Sequence, residues 1–468
     1  MSWNDRNKYK SIYTNIINNI IMKQVVSYET DELKKEFLNV RQTTILLFEP
    51  LSIEDAVMQS DPFGSPPNWH LAHVTWFFHK MLEEYGLKVD DRKIVNSDYL
   101  NSYYQRYKSI LPKSERGKFP RPTVNQTIEY RKEIEKRLIN MLEKIGKENA
   151  LTEKFAYDLM LAYQHEMQHQ ELMIYDFQHY FNRYQDPTDN YTPKNMNELK
   201  KPNTNVEIRM VTIPGGIYYL GFDSSGFSYD NELPEHKVYL HPYQIDIYPV
   251  TNADYMEFMT NGGYEDYRFW LADGWDLIRQ NNWKAPLYWE TIDGQWYKKD
   301  FRGLSKVAPE QPVTNVSYYE ADAFARWMGK RIPTEAEWEK ASSWNEELKK
   351  KTKYPWGDEL PTDDLANLLE SWMWSASDIG TYPKGKSYYG CHQMIGDVWE
   401  WTSSEYVLYP GFKSRFQEYT DKWSINQKVL RGGSFATSKS QIRNSYRNYF
   451  KPHERILFSG FRCAKDLA

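Results

Sequence analysis

Residues 163–171 read Tyr-Gln-His-Glu-Met-Gln-His-Gln-Glu. On an α-helix, positions four apart lie one turn above each other on the same face, so His165 and His169 can grip one metal ion from a single rigid rod. Two imidazoles do not complete a site. Upstream, Asn68-Trp69-His70-Leu71-Ala72-His73 offers a third: His73 sits on an apolar segment expected to be buried, and a buried histidine needs a partner, either a metal or a carbonyl. His70 and His79 compete for that role on helical spacing alone. Three neutral imidazoles leave half of an octahedral shell vacant, which suits a ferrous ion that must hold substrate and dioxygen together.

The same run matches the zinc-peptidase pattern H-E-x-x-H, with Glu166 as general base. The extended form of that motif requires a glycine and a third histidine soon after. Here Gln170-Glu171-Leu172-Met173-Ile174-Tyr175 follows, so the peptidase is the lesser reading. The bland alternative is a polar helix carrying two solvated histidines.

A chain of 468 residues is too long for one ordinary domain. Its 17 Trp and 37 Tyr point to large aromatic surfaces and pockets. A formal charge of -5 provides no basic footprint for nucleic acid or an anionic membrane, which leaves small molecules as the expected ligands. Two cysteines, Cys391 and Cys463, offer neither a disulfide framework nor a thiolate metal site. No stretch approaches the ~20 apolar residues needed to span a bilayer, and the N-terminus lacks a signal-peptide core, so a cytoplasmic location is expected.

The elements that must position these histidines are helical. Residues 1–28 form a polar Asn- and Lys-rich leader. Residues 29–182 contain four amphipathic runs, Glu32–Glu49, Trp69–Tyr85, Thr127–Ile145 and Thr152–Tyr180, with Gly and Pro gathered between them. Four helices with long connections predict a four-helix bundle, in which facing helices place ligands in the core. Residues 183–207 have the polar, Pro- and Asn-rich composition of a linker. Residues 208–468 change character: short β-type runs at Val206–Ile213, Ile217–Gly221, His236–Leu240 and Tyr243–Tyr248 precede helical segments at Ser317–Gly329 and Thr334–Ser343 and many Trp- and Gly-bearing loops. The expected fold is α plus α+β, multidomain, with much irregular structure in the second half.

Trp69-x-Leu71-Ala72-His73 together with His165-x-x-Gln168-His169-x-Glu171 resembles the iron-binding DinB-like domain of the EgtB-type sulfoxide synthases of ergothioneine biosynthesis. The second half resembles the formylglycine-generating-enzyme or sulfatase-modifying domain, of C-type-lectin-like architecture, that accompanies it. The phrases that carry this likeness include Pro249-Val250-Thr251-Asn252, Pro312-Val313-Thr314-Asn315-Val316-Ser317, Arg331-Ile332-Pro333-Thr334-Glu335-Ala336-Glu337-Trp338-Glu339, Gly396-Asp397-Val398-Trp399-Glu400-Trp401, Arg431-Gly432-Gly433-Ser434-Phe435 and Gly460-Phe461-Arg462. Formylglycine-generating enzymes use a C-terminal cysteine pair to bind copper. Only Cys463 stands there, so the domain is expected to supply a substrate pocket instead.

The resemblance implies that His73, His165 and His169 bind Fe(II), and that O2 is used to join the sulfur of a thiol to C2 of hercynine (N-alpha-trimethylhistidine) as a sulfoxide. In the branch that uses gamma-glutamylcysteine, a tyrosine of the C-terminal domain donates a proton. Phe416 stands at the matching place here and has no proton to give. Tyr103 and Tyr104 resemble the double tyrosine of the cysteine-using branch, and Phe450 replaces an aspartate expected in gamma-glutamylcysteine users. Cysteine is therefore the expected thiol. Adjacent tyrosines on regular backbone point apart, so one of the two is expected to face the metal, with Tyr103 preferred.

For hercynine, the expected contacts are Gln168, Asn448 to the carboxylate, and Tyr419 and Tyr449 to the trimethylammonium group, which only an aromatic face favours over water. Arg116 and Arg121 are the expected partners of the cysteine carboxylate. The nearest rivals are an ovothiol-type synthase acting on unmethylated histidine and a selenium-transferring relative. From another class comes a non-catalytic ligand-binding module. Oligomeric state is not legible.

Overall fold

The computed structural model describes residues 29–90, 97–104, 110–118, 121–183, 191–202, 210–223 and 226–467. The leader expected over residues 1–28 lies outside them. The helices are α1 (Thr30–Phe48), a single turn α2 (Ile53–Ala56), α3 (Pro67–Leu82), α4 (Val124–Glu148) and α5 (Glu153–Arg183), then α6 (Asn252–Thr260), α7 (Ala272–Gln280), α8 (Tyr318–Trp327) and α9 (Glu335–Ser343).

The four long helices α1, α3, α4 and α5 pack on one another as the bundle. Pro67 occupies the first turn of α3, where its missing N–H costs nothing. A reciprocal Thr123–Gln126 box opens α4, and Asn149, at φ 47°, closes it. All of α3 except Lys80 is buried. A surface helix of a lone bundle would show a polar face. This one lacks it because the second half of the chain and the segment 97–104 cover its remaining sides.

Among the described residues, fourteen short strands make up the sheets of the second half. β1 (Met210–Ile213), β4 (Tyr243–Asp246) and β14 (Ala464–Asp466) form an antiparallel sheet with β4 in the middle. β2 (Gly216–Leu220) pairs with β3 (His236–Leu240), and β5 (Trp289–Ile292), β6 (Gln295–Asp300) and β7 (Gly303–Lys306) form a meander. β8 (Trp344–Asn345) pairs with β9 (Lys350–Lys351). β10 (Trp399–Glu405), β11 (Lys428–Arg431), β12 (Asn448–Phe450) and β13 (Ser459–Gly460) are ordered β12–β11–β10–β13, antiparallel except for the parallel β10–β13 pair. The edge strand β12 carries three of the residues expected at the site.

The motif phrases of the second half turn out to be its scaffold. Thr251, Ser317 and Thr334 each cap a helix with reciprocal side-chain bonds. Arg431 pairs with Glu335 at 2.6 Å and Glu339 at 3.0 Å, and Arg462 pairs with Glu400 at 2.7 Å, all buried. Gly432 has φ 95°, and a Cβ there would meet the Met394 carbonyl oxygen at 2.5 Å, so no other residue fits that turn.

One apolar core runs through both halves, from Phe37 and Trp76 to Trp399 and Phe461. The linker composition is misleading at one place. Tyr191 is buried, its ring 4.8 Å from Phe177 and 5.9 Å from Trp374, and its hydroxyl donates to the Leu47 carbonyl at 2.7 Å. The described part of the connection is thus docked on both halves.

Candidate metal centre and active site

The nitrogens of His73, His165 and His169 lie within 4.8 Å of one another, and among the described residues no other set of three metal-ligating side chains converges in this way. The i, i+4 pair comes from α5 and His73 from the facing α3, as bundle geometry allows. His73 and His165 are buried, while His169 keeps part of its surface toward a cavity. Burial disfavours the imidazolium form and holds all three neutral, His165 down to about 3.

The ring orientations follow from what the outer nitrogens touch. His73 Nδ1 donates to the Leu100 carbonyl at 2.5 Å, which leaves Nε2 turned inward, 3.3 Å from Nε2 of His165. The His73 ring is stacked on Trp69 at 4.5 Å, and the His165 ring on Phe77 at 3.9 Å. Nδ1 of His165 is buried without a hydrogen-bond partner. Three neutral nitrogen donors facing one point, with no carboxylate among them, fit a divalent first-row ion with open positions. His70 is not one of the three. Its Nδ1 lies 2.7 Å from Nδ1 of His169 and its Nε2 lies 3.0 Å from Asp176, so it stands behind the site. His79 is farther along α3 and bonds Tyr130 at 2.8 Å.

Glu166 removes the peptidase reading. Its carboxylate is fully buried on the flank of α5 that faces α1 and α4, between Arg41 at 2.9 Å, Arg131 at 2.7 Å and the Thr44 hydroxyl at 2.6 Å. Burial alone would raise its pKa. The two guanidinium groups outweigh that and hold it at about 2. A side chain so engaged is no general base for a water on the histidine face.

The cavity beside the triad has a volume of about 460 Å³. His165, His169, Gln168, Tyr103, Arg116, Tyr419, Asn448, Tyr449 and Phe450 all line it. Gln168, three residues from His165 on the same helix face, is held at both ends of its amide: Tyr419 donates to Oε1 at 2.6 Å, and Nε2 donates to Tyr446 at 3.1 Å. Tyr449 is stacked on Tyr406 at 3.9 Å, which leaves its other face for the cavity. Asn448 accepts the Tyr449 N–H through Oδ1. Phe450 packs edge-on against Tyr175 at 6.5 Å.

Tyr103 and Tyr104 do not point apart. The segment is irregular, and Asn101 folds it back by bonding both the N–H and the carbonyl of Tyr104, at 3.0 and 2.8 Å. The two hydroxyls therefore meet at 3.2 Å. Tyr103 lines the cavity and Tyr104 is fully buried behind it. Burial pushes the Tyr103 hydroxyl up to about 12, so it stays protonated at neutral pH. Lys422, from the second half, donates to the Tyr103 carbonyl at 2.7 Å and holds the segment from the other side.

Two expectations need correction. Arg121 is exposed, carried away from the cavity just before α4 begins. Phe416 does not line the cavity. Its ring packs behind the wall, 5.7 Å from Phe77 and 6.2 Å from Tyr104, where apolar neighbours satisfy it. Arg116 does reach the cavity. Its guanidinium lies 3.6 Å over the Trp69 ring, Nη1 donates to Ser65 at 2.8 Å, and Nε is buried without a partner. Burial lowers its pKa to about 9, the state of a cation in want of an anion. Sequence reasoning missed Trp423 and Tyr446, which loops of the second half deliver to the same wall and no local spacing marks, and Asp176, two turns beyond His169 on α5.

No helix among the described residues is long and apolar enough to cross a membrane. Residues 195–467 match the family described as the sulfatase-modifying factor enzyme 1-like domain, and residues 36–173 match the DinB superfamily. The hercynine oxygenase of Mycolicibacterium thermoresistibile is 33% identical over 448 residues, with 93% of this chain and 95% of the relative covered. That of Mycolicibacterium smegmatis is 32% identical over 452 residues, covering 93% and 99%. That of Mycobacterium tuberculosis is 39% identical over 254 residues, covering 53% and 59%. A DinB-like bundle carrying the histidine triad, a sulfatase-modifying-factor-like half closing over it and a likeness that runs nearly end to end place this chain in the hercynine oxygenase family, the EgtB-type sulfoxide synthases.

Proposed function

We propose that the protein is a mononuclear non-haem iron sulfoxide synthase that joins cysteine sulfur to C2 of hercynine, giving hercynylcysteine sulfoxide. The observation that carries this reading is the triad of neutral imidazoles opening on a cavity with room for two small polar substrates. The relatives named hercynine oxygenases support the imidazole substrate and the use of O2.

The overall reaction balances with O2 as the sole oxidant. The C2–H and S–H bonds break, a C–S bond and an S–O bond form, and the second oxygen atom leaves as water with the two hydrogens. Ferrous iron held by His73, His165 and His169 would supply thiolate binding and dioxygen activation. Three neutral ligands leave a divalent charge uncompensated, which favours an anionic thiolate as the incoming group.

The chain's own groups do the rest. Arg116 offers its guanidinium to the cysteine carboxylate. Gln168 and Asn448 present amide groups to the imidazole ring and carboxylate of hercynine, while the free face of Tyr449, with Tyr419 on the same wall, receives the trimethylammonium group. Tyr103 keeps its proton at neutral pH and delivers it at the cavity wall, and Tyr104 supports it from behind. Holding both substrates in one pocket replaces a three-body encounter by reaction within one complex.

Phe450 supports cysteine over gamma-glutamylcysteine. An apolar ring at that wall leaves the glutamyl ammonium of gamma-glutamylcysteine unpaired and desolvated, at a cost of about 1–3 kcal/mol. The test is protein with Fe(II), O2 and each pairing of hercynine or histidine with cysteine or gamma-glutamylcysteine, read by mass spectrometry. Hercynine with cysteine should give the main sulfoxide product. A main product from another pair overturns the substrate assignment, and histidine as the preferred partner would favour the ovothiol-type reaction.

A further inference from the structure

We propose that His70 and Asp176 form a hydrogen-bonded relay behind the triad that fixes His169 as its Nδ1–H tautomer and so aims the Nε2 lone pair at the metal. This rests on the metal-site reading above and assigns two further positioning residues to it.

His70 Nε2 lies 3.0 Å from Asp176 Oδ2, and the same oxygen accepts the Ser65 N–H at 3.0 Å. An acceptor-only carboxylate oxygen requires the hydrogen on the histidine side, so His70 carries it on Nε2. His70 Nδ1 is then a bare lone pair, 2.7 Å from Nδ1 of His169. Two lone pairs cannot face each other at that distance, so the single hydrogen between them belongs to His169 Nδ1. His169 is left with an unprotonated Nε2, the form that binds a metal.

The opposite assignment, with His70 donating from Nδ1, puts a second lone pair against the Asp176 carboxylate. A doubly protonated His70 would turn His169 into the tautomer that cannot bind through Nε2, so the two states of His70 predict opposite tautomers at His169. His73 and His169 are thus oriented by different means. His73 is set by the Leu100 carbonyl, and His169 is set by a side-chain relay with a carboxylate at its end. Such outer partners are typically worth about 10- to 100-fold in metal affinity.

The test uses the full-length apoprotein, with histidine ring nitrogens labelled for NMR, and anaerobic titration with Co(II) or Fe(II). In the wild type, His169 should be the Nδ1–H tautomer. His70→Leu removes the acceptor: His169 should lose that tautomer preference, and metal affinity should fall about 10- to 100-fold while apoprotein melting is retained. His70→Asn, whose side-chain oxygen takes the place of Nδ1, should recover part of the affinity. Asp176→Asn should leave His169 split between two tautomers.

A His70→Leu protein that binds metal as tightly as the wild type overturns the proposal. So does one that loses binding as completely as His169→Ala, because His70 would then be a ligand. If the wild type takes up no divalent ion, the metal-site reading fails, and an Nε2–H tautomer at His169 in that same apoprotein would separately sink the relay.

Discussion

Tyr103 is the one hydroxyl of the tyrosine pair that reaches the cavity, and burial keeps it protonated. Tyr103→Phe should therefore lower sulfoxide yield by about a hundredfold, with a smaller loss for Tyr104→Phe, which removes only the supporting contact at 3.2 Å. Product quantified by mass spectrometry checks this, and an unchanged yield in the double variant would return the role to another group. At the neighbouring wall, Phe450→Asp gives an ammonium group a partner. It should shift the ratio of kcat/KM values toward gamma-glutamylcysteine by about tenfold or more. Steady-state rates with the two thiols decide it, and a ratio that stays put removes Phe450 from thiol selection.

At the scale of elements, α5 is pinned from behind as firmly as it is used in front. Glu166 sits between Arg41 of α1 and Arg131 of α4, so the helix cannot rotate without breaking two buried ion pairs. Its pKa falls from the ordinary 4.5 to about 2, so the stabilisation is present above pH 4.5 and is lost as the pH falls through 2. That shift corresponds to about 3 kcal/mol. Glu166→Gln should destabilise the protein by about 3–5 kcal/mol at pH 7 and flatten the dependence of stability on pH between 4.5 and 2. Urea unfolding from pH 7 down to pH 2 measures both.

The same helix shows what was legible in the sequence and what was not. The i, i+4 histidines and the 3.6-residue periodicity marked α1, α3, α4 and α5 to within a few residues, and the capping Ser317 and Thr334 marked the starts of α8 and α9. The position of Glu166 was misleading, because a sequence motif does not say on which side of a helix the arginines lie. The hairpin strands β5 to β9 went unread, as did β10 to β14. The latter are two to seven residues long and are fixed by partners far along the chain, as Arg462 is by Glu400. Asn101 also went unread: its two bonds to Tyr104 reverse the directions expected of adjacent tyrosines.

For the whole molecule, the histidine triad comes from the bundle and much of the cavity wall from the second half, so the site exists only when the two are docked. Glu171 of α5 shows how they are held. Its buried carboxylate accepts from Trp399 at 2.8 Å, Ser434 at 2.6 Å and Thr437 at 3.0 Å, all across the junction, and from Tyr175 on its own helix at 2.7 Å. Gln164 reaches the Ser440 carbonyl at 3.1 Å in the same way. The continuous core and these bonds keep β12 and Tyr103 on the wall of one pocket.

The most direct test of the central claim is a crystal structure of the full-length protein grown anaerobically with Fe(II). It should show one iron per chain on Nε2 of His73, His165 and His169, with its remaining positions turned to the cavity that Gln168 and Tyr103 line. Iron bound elsewhere, or closed off by a fourth protein ligand, would contradict it.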